Sequence, residues 1–491
     1  MKKKKMSVTL KLWNPTAREI ADVVGGKIVT INGADENTKV TGIATSSSEG
    51  GEGVMFCAIK GSRADGADFI PEAASLGTSC VLTARIPASA EETRAPLALI
   101  VVDDVIRALG TLAAKYRDRS RATFVAVTGS VGKTTTKEMI ASVASTQLKT
   151  HKTKGNFNNE LGLPLTLFEL EPDDKVSVIE LGMSNLGEIE YMSKIVRPDI
   201  AVITNIGTSH LATLGTRENI CRAKMEICAG MGESGVLLLN ADEPLLYSEY
   251  LKAGKRPKLM SVFNRNGDFR AVNIRTKPNG STFDMIYSDK VATNVEVSVP
   301  GKHNVYNALA AFSVGIILGL DVDNIRKGIT SYLGTKMRQS IYDVGGITVI
   351  DDCYNASPES MRAAIDVLTA QAAKTGGAPA ALLGDMLELG DYSRLLHDQL
   401  GQYAAAAKVS KLFCYGKMSD VVAEAAIKKG IRAENVFVCL DTRDPQTMAD
   451  MILNSVSEGD VLLVKASRGV HAEKVIEILK KKKTKRAPAK K

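Results

Sequence analysis

The sequence has no apolar run of the length a membrane helix needs. A span takes about 18 residues or more, and the longest candidate, Ala308 to Leu320, is interrupted by Ser313 and Gly315. It also lacks the apolar stretch of a secretory signal: Lys2 to Lys5 imitate its basic start, but Lys11, Asn14 and Pro15 interrupt the segment where the apolar core of a signal would lie. The seven cysteines (Cys57, Cys80, Cys221, Cys228, Cys353, Cys414, Cys439) are odd in number, scattered, and contain no Cys-x-x-Cys pair. That spacing excludes a disulfide framework or a zinc cage as the organising element. Together these absences predict a soluble protein of a reducing compartment, the cytoplasm. No internal repeat is evident.

A basic stripe is missing too, although the formal net charge is +8. Twelve of the 63 Lys and Arg lie in residues 2–5 and 480–491, which hold no acid, so the rest of the chain carries 51 basic against 55 acidic residues. The body is mildly acidic. The polycationic ends read as solvated tails, with 481–491 a basic disordered one, and specific nucleic-acid binding is not expected.

What is present is length and apolar content: 491 residues, 44% hydrophobic, enough for about three domains of roughly 150 residues. From about residue 123, short β-rich runs alternate with helical stretches: Phe124–Thr128, Val176–Glu180, Ile200–Thr204 and Val236–Leu239. Such alternation predicts a parallel sheet covered by helices. A second series comes next, with strands expected at Ile347–Ile350, Ala380–Leu383, Lys411–Cys414, Val436–Cys439 and Val461–Val464. The first 118 residues differ, with short strands and the turns Gly50–Gly53 and Gly61–Gly66. Residues 117–122 and 331–339 read as linkers. The predicted class is α/β in three domains: a small mixed α/β domain (1–118), a central parallel-sheet domain (119–335) and a second α/β domain (336–480).

After the strand ending at Thr128 comes Gly129-Ser130-Val131-Gly132-Lys133-Thr134-Thr135-Thr136 and then a helical pattern. This arrangement aims backbone N–H groups and a helix N-terminus at a phosphate. Lys133 would hold terminal phosphates and Thr134 a magnesium ion. Val127 occupies the first glycine position of the full phosphate-loop pattern. Glu180 and the segment Thr204–His210 stand just after neighbouring predicted strands, at the carboxyl ends where open parallel sheets bind ligands. Taken singly, Glu180 is either a salt-bridged acid or a metal ligand, and a lone His210 is more often structural. Their shared location favours catalysis.

These residues, with Lys224 in Arg222–Glu226, Gly301–Asn307 and Asp352-Cys-Tyr-Asn-Ala-Ser-Pro358, resemble the Mur ligases of peptidoglycan synthesis, over nearly the whole chain. Thr153–Leu165, Glu180–Met183 and Leu383–Gly390 look most like the members that add D-alanyl-D-alanine to UDP-N-acetylmuramoyl-tripeptide. The resemblance implies a P-loop ATPase central domain, a C-terminal Rossmann-like domain, and an ATP-driven amide ligation through an acyl phosphate by a monomer. Phosphoryl transfer between anions needs cations and rigid positioning more than a protein nucleophile. It further implies two magnesium ions, one on Thr134 and Glu180, the other on His210 and a carbamylated Lys224. A bare ammonium would repel the ions, whereas a carbamate offers the oxygen magnesium prefers.

By the same resemblance Asn304 and Asn307 meet adenine, although by themselves they read as a helix cap and a surface amide. Arg338 and Asp352 reach ATP phosphate and ribose. Ser47, Asn156, Asn158 and Asn159 meet the UDP-muramoyl peptide, and Arg468, in Lys465-Ala-Ser-Arg468, holds substrate carboxylates with its planar fork. The sequence departs from the family at Ser46 and Ser48, where an acid and an arginine flank Ser47, at Ser357 for an asparagine, and at Ala466 for a glycine. The competing readings are another amide ligase of the superfamily, a ligase homologue without activity, and a nucleic-acid-dependent ATPase.

Overall fold

A computed structural model of the chain describes residues 7–252, 258–263, 266–277 and 279–486. The basic start at Lys2 to Lys5 and residues 487–491 of the expected tail lie outside the described residues. The fold is mixed α/β with three sheets, and the chain divides into two compact units.

The first unit gathers Met1–Thr128, Gln147–Ala201 and Glu226–Leu237. Its N-terminal part is a six-stranded sheet in the order Ser7–Thr9, Gly42–Ala44, Val54–Ala58, Cys80–Thr83, Leu97–Val101, Lys27–Ile31. The four inner strands are parallel and the two outer ones antiparallel. Phe56, Ile70, Val81, Leu97 and Leu99 fill one face of it. Asp104 caps the helix Val105–Arg117 by accepting from the N–H groups of Ile106 and Arg107; the first residue of the expected linker, Arg117, ends that helix, and a turn at 118–119 comes next. The strand Thr123–Thr128 then pairs in parallel with Val176–Glu180, which pairs in turn with Thr150–Lys152. All five residues of Val176–Glu180 are buried, the polar Ser177 and Glu180 included, as in a strand covered on both faces.

The second unit holds Gly129–Thr146, Val202–Met225 and everything from Leu238. Beside the strand Lys258–Ser261 stand three antiparallel strands, Phe269–Lys277, Gly280–Tyr287 and Lys290–Val297, which the helix-and-strand alternation did not anticipate. The signal was there as period two: Phe283, Met285 and Tyr287 are buried while Thr282, Asp284 and Ile286 are less so. The apolar run at Ala308 belongs to the helix His303–Ile317, buried along most of its length. No described helix is long and apolar enough to cross a membrane.

The last sheet runs Ser340–Val344, Ile347–Asp352, Val461–Lys465, Pro379–Gly384, Lys411–Tyr415, Val436–Cys439. It is parallel apart from the first hairpin, and both faces are packed, one around Ile365 and Leu368, the other around Met448 and Ile476. Each strand expected in this region is present to within two residues. The C-terminal helix Glu473–Arg486 corrects the expected tail, because residues 481–486 are helical. Val475, Ile476 and Leu479 anchor it in the core, and lysine and arginine, good helix formers, propagate it.

Candidate active site

The turn between Thr128 and Lys133 is built for close approach. Gly129 and Gly132 have φ of 147° and 86°, values that L side chains rarely adopt. A Cβ on Gly129 would lie 1.9 Å from Thr204 Oγ1, and one on Gly132 2.7 Å from Asn307 Oδ1. Thr204 Oγ1 and Asn205 Nδ2 donate to the carbonyl of Val131 at 2.7 and 2.9 Å, and the Val131 N–H donates to Asn205 Oδ1 at 2.9 Å. The two residues after the strand Ile200–Ile203 therefore brace the turn. Lys133, first in the helix Lys133–Ala144, folds its Nζ onto the carbonyls of Gly129 (2.7 Å) and Ser130 (3.3 Å). Thr134 is buried behind it. The buried Ser130 Oγ has no hydrogen-bond partner among the described residues, as suits a cradle meant for an oxyanion.

Asn304 and Asn307 are buried in the helix His303–Ile317 rather than sitting as a cap and a surface amide. Thr136 Oγ1 donates to Asn307 Oδ1 (2.9 Å), Asn307 Nδ2 to Asn304 Oδ1 (2.8 Å), and Asn304 Nδ2 to the carbonyl of Pro300 (2.6 Å). This chain ties the helix to the glycine turn. Beside it opens a cavity of ≈ 190 Å³, lined by Gly132, Asn205, Met260, Tyr306 and Asn307 among others. Apolar walls with a few convergent amides suit a flat heteroaromatic ring.

His210 and Lys224 belong to the same unit. His210 has φ 68° and precedes the short helix Leu211–Leu214. Its Nδ1 stands 2.9 Å from Glu388 Oε2. Lys224, in the helix Arg217–Met225, is 1% exposed. Burial, and after it the charge of Lys133, pushes its amine well below the usual lysine range, with Cys221 and Glu388 opposing weakly. The Glu388 carboxyl is held below its ordinary value, first by the His210 hydrogen bond and then, against the effect of burial, by the charges of His210, Lys133 and Lys224.

Asp352 ends its strand with Oδ2 2.7 Å from the buried Nζ of Lys465, which also donates to the carbonyl of Asn355 at 3.0 Å. The Arg338 guanidinium lies over the Tyr354 ring at 4.2 Å. Tyr332, whose hydroxyl bonds to Thr135 and Thr335, feels the Arg338 charge. Arg468 is half-exposed, its Nη1 3.3 Å from Glu473 Oε1. Glu359, at the start of the helix Pro358–Thr375, accepts from Thr208 Oγ1 at 3.0 Å. Ser357 caps that helix through a reciprocal bond with Ser360, so the departure from asparagine costs no cap.

In the first unit, Glu180 is buried and in register with Val127, at the end of the strand that neighbours the one from which the turn departs. Asn158 Nδ2 donates to Glu180 Oε1 at 2.8 Å, which makes Asn158 a support for that carboxylate. Asn159 Oδ1 accepts from the Gly162 N–H at 2.8 Å, opening the helix Gly162–Phe168, while Asn156 is exposed. Ser46 and Ser48 bond to each other at 2.9 Å, and Ser47 donates to Glu72 at 2.7 Å. Sequence reasoning missed Asn205, Glu359 and Glu388 as parts of the site. Asn205 comes directly after Thr204, and Glu388 lies inside the Leu383–Gly390 stretch that carries the family resemblance, so motif membership was the available signal.

Among the described residues no cluster of three or more His, Cys, Asp or Glu gathers to cage a metal. Three family models match the chain: "Mur ligase family, catalytic domain" over residues 39–117, "Mur ligase middle domain" over 127–315 and "Mur ligase, glutamate ligase domain" over 337–468. The UDP-N-acetylmuramoyl-tripeptide–D-alanyl-D-alanine ligase of Bacillus subtilis is 37% identical over 94% of this chain and 98% of its own, and that of Escherichia coli 32% over the same shares. A crystal structure of MurF from Acinetobacter baumannii superposes with a TM-score of 0.84 at 32% identity, covering 96% of this chain and 100% of that one. MurF from Thermotoga maritima in complex with ADP gives 0.76 at 30% identity, covering 91% and 98%. With relatives this similar matched nearly end to end, the chain belongs to the Mur ligase family.

Proposed function

We propose that this chain joins D-alanyl-D-alanine to UDP-N-acetylmuramoyl-tripeptide at the expense of ATP, in the cytoplasm and as a monomer. Residues 1–118 would hold the UDP-muramoyl end, 119–335 ATP and 336–480 the amine. The observation that carries the reading is the glycine turn with Lys133 and, in the same compact unit, the buried Lys224, in a chain matched end to end by ligases of that name. The ADP in the Thermotoga maritima relative supports a nucleotide at the turn.

The reaction fits the residues. A carboxylate oxygen of the tripeptide attacks the γ-phosphorus and ADP departs, leaving an acyl phosphate. The dipeptide amine then attacks the acyl carbon, phosphate leaves, and the nitrogen loses a proton. Both partners of the first step are anions, so the Lys133 ammonium and the turn's N–H groups lower their repulsion. Tyr306, Met260 and the bonded pair Asn304–Asn307 would seat adenine, and Arg338 would meet phosphate.

Magnesium, when bound, supplies charge neutralisation between the phosphate oxygens and the carboxylate. By the family resemblance the Thr134 hydroxyl and the Glu180 carboxylate would offer the oxygens, both of a kind magnesium takes, and an ion completed by substrate phosphates needs no full protein cage. His210 and Lys224 fit a second ion only if Lys224 is modified. A buried amine whose proton affinity is depressed is a nucleophile. Its nitrogen adds to the carbon of carbon dioxide, loses a proton, and becomes a carbamate anion.

Purified protein with ATP, magnesium, the muramoyl tripeptide and D-alanyl-D-alanine is expected to release phosphate and form the pentapeptide, read by mass. Turnover with a free amino acid but none with the dipeptide would overturn the assignment, as would ATP hydrolysis that requires DNA or RNA.

A further inference from the structure

Glu388 has no part in either chemical step, yet its carboxylate holds the His210 ring, with Oε2 2.9 Å from Nδ1. A ring nitrogen that close to a carboxylate oxygen must donate, so the neutral ring carries its proton on Nδ1 and its lone pair on Nε2. The grip extends to the backbone. The Ala212 N–H donates to the Glu388 carbonyl at 3.1 Å. Gly390, at φ 54°, packs so closely that a Cβ there would lie 3.0 Å from Ala212 Cα. His210 itself is held in the left-handed region, its carbonyl accepting from the N–H groups of Thr213 and Leu214 at 3.2 and 3.0 Å. A non-glycine residue stays in that region only when its surroundings over-determine it.

The carboxylate also meets the local field. The Lys133 ammonium is among the groups whose charge acts on it, so an ionised Glu388 offsets that cation. The segment that carries it comes after the strand Pro379–Gly384, in the sheet of the C-terminal half, whereas His210 comes after the strand Ile200–Ile203. One side chain thus ties the ring to a different sheet.

We propose that Glu388 is a positioning residue: it fixes His210 as the Nδ1–H tautomer with Nε2 available as a ligand, so the ring is ready only when the segment 386–390 is docked on residues 210–214. The inference rests on the ligase reading for its catalytic consequence, but not for the geometry. Ligand histidines commonly donate their other nitrogen to a carboxylate, and losing that partner usually costs about 10–100-fold in metal affinity or activity.

The test has two readouts on the full chain. The first is ring ¹⁵N–¹H correlation spectroscopy without nucleotide or metal, with His210 identified among the five histidines by the signal that His210→Asn removes. The neutral ring should show a protonated Nδ1 in the wild type, a shift towards protonated Nε2 in Glu388→Ala, and the wild-type pattern in Glu388→Gln, whose amide oxygen accepts the same bond. The second is steady-state kinetics: kcat should fall by about 10–100-fold in Glu388→Ala, recover in part in Glu388→Gln, and leave KM for the dipeptide unchanged. An unaltered tautomer in Glu388→Ala, or a wild-type kcat, would overturn the proposal. If the tautomer shifts as expected while the wild type ligates no dipeptide, the positioning role stands and the substrate assignment falls.

Discussion

Two buried lysines at the ends of different elements have opposite surroundings. Lys465 ends the strand Val461–Lys465, is 2% exposed, and meets the Asp352 carboxylate at 2.7 Å. Lys224, on the helix Arg217–Met225, is 1% exposed and makes no ion pair among the described residues, and the cation Lys133 acts on it more strongly than the Glu388 carboxylate does. Burial of a charge is tolerated when it is paired, so Lys465 reads as part of the frame that fixes Asp352. An unpaired buried amine gains nothing structural from its charge, and such perturbed groups gather where chemistry is done. The difference teaches that burial alone does not separate scaffold from site, whereas the neighbouring charge does.

The sharpest break of this contrast is Lys224→Ala. Ligation should fall by more than about 100-fold, beyond the usual cost of losing an outer-shell partner, while thermal melting and ATP binding by calorimetry stay close to wild type and short carboxylic acids restore part of the rate. A variant that keeps most of its turnover would remove the carbamate. Lys465→Met should behave in the reverse way, losing about 3–5 kcal/mol of stability because Asp352 is left charged and buried. Urea denaturation measures this, and adding Asp352→Asn should return much of the loss. A loss below about 1 kcal/mol would mean that the pair is solvated as surface pairs are.

His151 extends the comparison to a third enclosed base, one whose ring bonds to a hydroxyl, Ser177 Oγ at 2.9 Å. Burial pushes its pKa down from 6.5 to about 4. The unfolded chain therefore takes up the proton first as pH falls, so the stability this residue contributes is complete above pH 6.5 and is lost towards pH 4. At pH 5 the loss is about 2 kcal/mol. Melting curves between pH 7 and 5 should show it, and His151→Gln should flatten that part of the profile. An equal acid sensitivity in the variant would assign the effect to other groups.

Much of this was legible along the chain. The parallel strands announced themselves as short buried β-branched runs, and the glycine turn by its spacing. Glu180 and His210 were singled out because strand ends mark ligand positions in parallel sheets, and the structure puts one at the end of a strand and the other in the segment after one. The antiparallel strands after Phe269 escaped because their solvent-facing residues dilute the apolar signal. The helical course of residues 481–486 was hidden by their charge, since a run of lysines reads as solvated tail until an anchoring apolar face lies just before it.

What the one-dimensional order cannot carry is partnership across the fold. Asn307 was read as a surface amide or an adenine contact, and it holds Thr136, 171 residues away. Asn158 was read as a substrate contact, and it supports Glu180. Sequence alone determined where the chain bends, where the buried parallel strands run and where the glycine turn stands, because those depend on local sterics and on the period of apolar residues. Only the tertiary structure decided that Lys465 meets a carboxylate, that Lys224 does not, and that Glu388 reaches His210. Proton affinity and metal-binding capacity depend on the charges and water within a few ångströms of a group, and those neighbours are drawn from remote parts of the chain.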